Sequence, residues 1–84
     1  MFYVYILRSK KDSKLYTGST GDLVKRLNEH NSGKVFSTKS RKPFELIYYE
    51  AYKSEKDARI REHNLKLTAR ALAQLKTRIT NSLE

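Results

Sequence analysis

Along Phe2–Leu7, Phe2, Val4 and Ile6 alternate with Tyr3, Tyr5 and Leu7. A run this rich in β-branched and aromatic residues, with a period of two, predicts a strand. Arg8–Lys14 is polar and holds Asp12-Ser13, good turn chemistry, so a hairpin to a second strand at Leu15–Gly18 is expected. With no glycine-containing two-residue turn, the hairpin register is open. From about Asp22 the period lengthens, and Leu23, Val24, Leu27 and Asn31 fall on one face of a first helix. Thr20, Gly21 and Asp22 supply its cap chemistry, and Gly33 is its expected stop. Ser32–Pro43 reads as a loop, and Phe44–Tyr52 as a third strand with Leu46 and Tyr48 opposite in face to Ile47, Tyr49 and Ala51. Ser54 and Asp57 form an acidic variant of the capping box ahead of a second helix. On that helix Ala58, Glu62 and Leu65 share a face, while Ile60 and Leu67 make a second apolar line that needs a cover. A third helix over about Ala69–Thr80, capped by Thr68, offers Leu72, Leu75 and Ile79 as that cover. The order β-β-α-β-α-α predicts an α+β fold: a small, mainly antiparallel three-stranded sheet with flanking helices.

At 84 residues the chain has room for one domain, 1–84, whose small core makes each apolar residue count. It has no cysteine, hence no disulfide and no thiolate metal site. No apolar run approaches the roughly 18 residues of a membrane span, and Met1-Phe2-Tyr3 enters a strand rather than a signal segment. The expected setting is cytoplasmic, with no membrane partner. Charge changes the picture most. Eighteen Lys and Arg against nine Asp and Glu give +9, which points to a polyanion such as nucleic acid. Lys34, Lys39, Arg41 and Lys42, interleaved with small hydroxyl residues in the Ser32–Pro43 loop, look like a flexible phosphate-contacting arm or a solvated linker. Lys25 on the first helix joins them as a candidate nucleic-acid contact.

Three further positions carry candidate chemistry. At about 100° per residue, Arg26 and His30 fall on the flank of the first helix, as cleft residues would. From spacing alone they also read as an Asp22–Arg26 ion pair and a histidine favourably placed at a helix C-terminus. Glu62 lies on an apolar stripe, a costly place for an unpaired carboxylate, so a metal ion, a nearby arginine or an i,i+4 pair with Lys66 is expected to compensate it.

Tyr3-Val4-Tyr5, then Tyr16-Thr17-Gly18, then Arg26 and His30, and finally Glu-His-Asn-Leu-Lys at 62–66, resemble the motifs of the GIY-YIG nuclease family. The likeness is greatest to small stand-alone bacterial members similar to the nuclease domain of the excision-repair machinery. Tyr3 stands where the family name has glycine, and Thr17 where it has isoleucine. The resemblance implies a metal-dependent endonuclease acting on DNA in repair or recombination, with one divalent ion, Mg²⁺ or Mn²⁺. It implies Glu62 as the metal ligand, Arg26 on the scissile phosphate, and Tyr5 and Tyr16 orienting or deprotonating the attacking water. His30 matches a histidine of many members and is the better base by ordinary pKa, while Gly18 permits close backbone approach. So short a chain is expected to draw specificity from a protein partner or a homodimer. The alternative is a weakly active or inactive nucleic-acid-binding module on the same scaffold. The enzymatic reading requires Tyr5, Tyr16, Arg26 and Glu62 to meet around one pocket.

Overall fold

The computed structural model describes residues 1–84. Strands β1 (Phe2–Ser9), β2 (Leu15–Thr20) and β3 (Phe44–Tyr52) form one antiparallel sheet in the order β2-β1-β3. Helix α1 (Leu23–Asn31) and the loop after it cover one face; α2 (Glu55–Leu67) and α3 (Ala69–Arg78) cover the other. The expected element order and fold class are those observed.

Strand β1 is the middle of the molecule, and Val4, Tyr5, Ile6 and Leu7 are each at most 1% exposed. Val4 and Ile6 pack with Ala58, Leu65, Leu75 and Ile79, while Tyr5 and Leu7 pack with Phe44 and with Leu23, Leu27 and Leu46. The period of two therefore sorts β1 into two small cores. The β1–β2 turn is held by Ser9, whose hydroxyl accepts from the backbone of Lys11 and Asp12 at 3.1 and 3.2 Å, and Ser13 takes φ 63°.

Several local expectations are corrected. Leu46 and Tyr48 do not share a face. Ile6 lies opposite Tyr48 and Leu7 opposite Leu46, so Ile47 is an extra residue in β3 and the alternation breaks there. Val24 is 72% exposed and outside the inward stripe of α1, which runs Leu23, Leu27, His30. Asn31 is exposed, yet its side-chain amide accepts from the Phe44 amide at 2.6 Å and donates to the Phe44 carbonyl at 3.2 Å. Ser54 makes no side-chain cap bond, whereas Thr68 accepts from the amide of Ala71. Ile60 and Leu67 stay exposed, because α3 turns Leu75 and Ile79 into the Val4–Ile6 core instead of across that second line.

The Ser32–Pro43 loop is not a free arm. Val35 and Thr38 are buried, the amide of Lys10 donates to the Pro43 carbonyl, and Arg41 pairs with Asp12 at 2.8 Å. The Arg41 guanidinium beside it holds the Asp12 carboxyl at about 2.

Leu65 sits at the centre of the α2–α3 core, so Leu65→Ala is expected to cost ~2–5 kcal/mol in urea unfolding. Ile60→Ala, on the uncovered line, is expected to change stability by only about 0.5 kcal/mol. Equal losses for the two would contradict the way α3 packs.

Candidate active site

The hairpin register places Tyr5 opposite Gly18 and Leu7 opposite Tyr16, so the side chains of Tyr5, Leu7 and Tyr16 all point to the α1 face. The Tyr5 and Tyr16 ring centroids are 6.4 Å apart. A Cβ on Gly18 would stand 2.4 Å from the Tyr5 hydroxyl oxygen and 2.5 Å from Cζ. Glycine there is what lets the Tyr5 ring lie across β2.

The Tyr5 hydroxyl is 2.9 Å from Nε2 of His30, and Nδ1 of His30 is 2.8 Å from the hydroxyl of Thr38. His30 lies fully buried rather than on the helix flank. At i, i+4 and i+7, Leu23, Leu27 and His30 line up on the face that α1 lays against the sheet. The imidazole is also edge-on to Tyr16 and Phe44, with centroids at 5.1 and 5.6 Å. Burial pushes its pKa below the ordinary value, the Arg26 charge adds to that, and Glu29 opposes it. A neutral imidazole donates from one nitrogen and accepts at the other. The Thr38–His30–Tyr5 chain therefore runs in one direction or the reverse, with every member satisfied.

Arg26 lies beside this chain. Burial works against its charge, but the Tyr5 hydroxyl and Glu29 outweigh burial and raise its pKa. It pairs with Glu29 at 3.3 Å, and not with Asp22, whose carboxylate accepts from the amide of Lys25. For Tyr5, burial raises the phenol pKa, the Arg26 guanidinium opposes, and Tyr16 and Glu62 push it further up. Tyr5 is thus a buried, protonated phenol, while Tyr16 is half-buried and reaches the surface.

Helix α2, which carries Glu62, lies on the other face of the sheet, but the Glu62 side chain is directed at the edge strand β2. Its Oε1 accepts from the Ser19 hydroxyl at 2.6 Å and its Oε2 from Lys66 Nζ at 2.7 Å. Lys66 Nζ in turn stands 5.7 Å from the centroid of the Tyr16 ring. Glu62 therefore meets Tyr16 around the edge of β2, through Lys66. Burial alone would raise its pKa; Lys66 and Ser19 reverse that and keep it ionised. Of the four side chains expected to meet, Tyr5, Tyr16 and Arg26 lie on the α1 side of the sheet, and Glu62 joins from the β2 edge.

No group of three His, Asp or Glu side chains is arranged to hold a metal. Glu62 alone still fits a hard cation, which takes one carboxylate and fills its remaining positions with water and substrate oxygens. The Lys66 ammonium against Oε2 marks the carboxylate as a place where positive charge is held.

Among the basic candidates, Lys25 and Lys34 line one groove on the outer side of α1. Lys39 and Lys42 are exposed on the loop, with Lys39 Nζ 5.1 Å from the Phe36 ring centroid. Arg41 differs, being occupied by Asp12, the Lys14 carbonyl and the ring of Phe44. Three partners escaped the sequence pattern: Thr38, hidden in a basic loop; Ser19, just past the expected end of β2; and Lys66 as a neighbour of Tyr16. The i, i+4, i+7 spacing of Leu23, Leu27 and His30 is the signal that reveals the buried histidine.

Two outcomes are expected. Gly18→Ala displaces the Tyr5 ring, so the near-ultraviolet dichroism of the tyrosines changes and the hydroxyl loses His30; an unchanged spectrum would contradict the seating. Because the folded-state pKa of His30 lies below its unfolded value of 6.5, the unfolded chain binds the extra proton. His30 stability is complete above about pH 6.5 and declines as pH falls towards the folded value. In urea midpoints over that window, His30→Asn is expected to remove the decline.

The family model described as the GIY-YIG catalytic domain matches residues 1–77. A UPF0213 protein of Clostridium perfringens is 42% identical over 71 residues, covering 83% of this chain and 75% of that protein. A UPF0213 protein of Syntrophus aciditrophicus is 46% identical over 71 residues, covering 82% and 80%. The solution NMR structure of a UPF0213 protein from Bacillus halodurans is similar at 39% identity and TM-score 0.58, covering 92% of this chain and 84% of that one. With the match running from the first strand almost to the end of the third helix, the chain belongs to the GIY-YIG family.

Proposed function

We propose that this protein is a metal-dependent endonuclease that hydrolyses phosphodiester bonds in DNA, serving repair or recombination in the cytoplasm. The observation that carries the reading is the buried Thr38–His30–Tyr5 chain beside Arg26, with an ionised Glu62 at the adjoining sheet edge. Support also comes from family membership and from the charge of +9.

In this reading Glu62, with the Ser19 hydroxyl steadying its Oε1, would hold one Mg²⁺ or Mn²⁺. The ion would supply a Lewis acid for the phosphoryl oxygens and a cation for the leaving oxygen. Arg26 donates hydrogen bonds to the phosphate oxygens, stabilising charge that grows at phosphorus. Tyr16, the half-buried phenol, meets the attacking water and orients it. Tyr5 acts as a positioning residue, because its hydroxyl is buried and taken by His30. His30 acts likewise: neutral and walled off from water, it holds Tyr5 instead of taking the proton of the attacking water directly. Gly18 seats Tyr5, and Lys25, Lys34, Lys39 and Lys42 contact the backbone of the substrate. Arg41 latches the loop that presents Thr38. Specificity comes from a protein partner or a second copy.

One observation favours a second reading, a nucleic-acid-binding module without turnover. Glu62 and Arg26 both have ion-pair partners in place, Lys66 and Glu29. Supercoiled and branched DNA, with Mg²⁺ or with EDTA, separates the two. For the enzyme, strand breaks require the metal and fall about 10²–10³-fold in Arg26→Ala, the scale of losing one transition-state donor. Glu62→Ala is expected to abolish them. Binding with intact DNA under every condition supports the module, and cutting that survives in EDTA would refute the metal-dependent reading.

A further inference from the structure

A cavity of about 520 Å³ opens between β3, α2 and α3, on the opposite side of α2 from Glu62. Two adjacent residues of α2 straddle the Ala58–Leu65 stripe. Glu62 turns to β2, and Arg61 turns to β3, where Nε and Nη2 each donate to Glu50 at 3.0 Å. Glu50 also accepts from the hydroxyl of Tyr48 at 2.7 Å and from that of Tyr52. Its charge is thus compensated by Arg61, so the pair is neutral together and the net charge of the lining comes from Arg78. Arg61 has five N–H donors and uses two here, which leaves three. Across the cavity stand Gln74 and Arg78 of α3, and Arg78 has no ion-pair partner. The lining carries two guanidiniums and one carboxylate, a net +1, the complement of one phosphodiester.

We infer that this cavity is a second binding site, for a phosphate-bearing nucleotide unit, held by Arg61, Arg78 and Gln74 between the phenol walls of Tyr48 and Tyr52. Its volume suits one nucleotide, within the usual range of about 300–1,000 Å³ for small-molecule sites. The preorganisation is specific: a guanidinium fixed at two points on Glu50 presents its free edge without further loss of side-chain freedom. The unit is either a free nucleotide or one residue of a nucleic acid strand passing behind α2. The strand source rests on the proposed nucleic-acid function; the free nucleotide does not.

The test is a titration of the ¹⁵N-labelled full chain, at low salt, with AMP, with a short DNA duplex and with a polyglutamate peptide. The reporters are the Arg61 Nε–H and the Gln74 side-chain amide. Both signals are expected to move with AMP, with the duplex, or with both, which identifies the source. Arg78→Ala, an exposed change that spares the Glu50 cluster, is expected to weaken binding about threefold, as for a single exposed ion pair. If the duplex is the source, its salt slope should also flatten by about 0.9. Duplex shifts confined to the Arg26 and Tyr16 side, with AMP silent, would overturn this site and leave the proposed function standing. Silence everywhere towards both AMP and the duplex would overturn both. Movement with the peptide alone would overturn the nucleotide site in favour of an acidic protein partner, and so would unchanged affinity in Arg78→Ala.

Discussion

Between Val4 and Leu7 the central strand is enclosed by protein on both faces and by hydrogen-bonded strands on both edges. Four consecutive residues with almost no exposure leave β1 no freedom of register, because a slip of one would exchange the two cores. Tyr5 inherits that rigidity. Its ring lies over a glycine on one neighbouring strand, and its hydroxyl meets an imidazole that is itself held by a buried threonine. A polar group so deep in a small domain is tolerable only when fully partnered. Every buried side-chain nitrogen and oxygen in this protein is.

The second organising feature is the placement of α2 over the middle of the sheet. From there, neighbouring residues reach opposite edge strands, Arg61 towards β3 and Glu62 towards β2. One helix therefore supplies a carboxylate to the tyrosine side of the molecule and a guanidinium to the cavity behind it. Both side chains are half-buried and ion-paired, which keeps each charged despite partial loss of water.

The basic loop has a structural duty beyond carrying charge. Asp12 on the hairpin grips Arg41, and the strand-end backbone grips Pro43, so the segment that bears Thr38 is tied to the sheet. Thr38 then fixes His30 and His30 fixes Tyr5, a chain of contacts running from a surface ion pair to a buried phenol. The exposed lysines ride on this anchored loop, where their own mobility costs the buried chain nothing.

Periodicity and turn chemistry were enough to place all three strands, all three helices and their order, because side-chain period and the turn residues between elements are local properties of the chain. The paired tyrosine tripeptides, Arg26, His30 and Glu62 were likewise visible in the chain, as a resemblance carried by spacing. Other features depended on contacts between residues far apart in sequence. The bulge at Ile47, which sends Leu46 and Tyr48 to opposite faces, arises only when β3 meets β1. Burial of His30 required the docking of α1, and the exposure of Ile60 and Leu67 followed from the direction α3 took. Whether Glu62 could join Tyr16 at all was decided by β2 being an edge strand. A helix on the far face can reach around an edge, and no one-dimensional pattern records which strand is left at the rim.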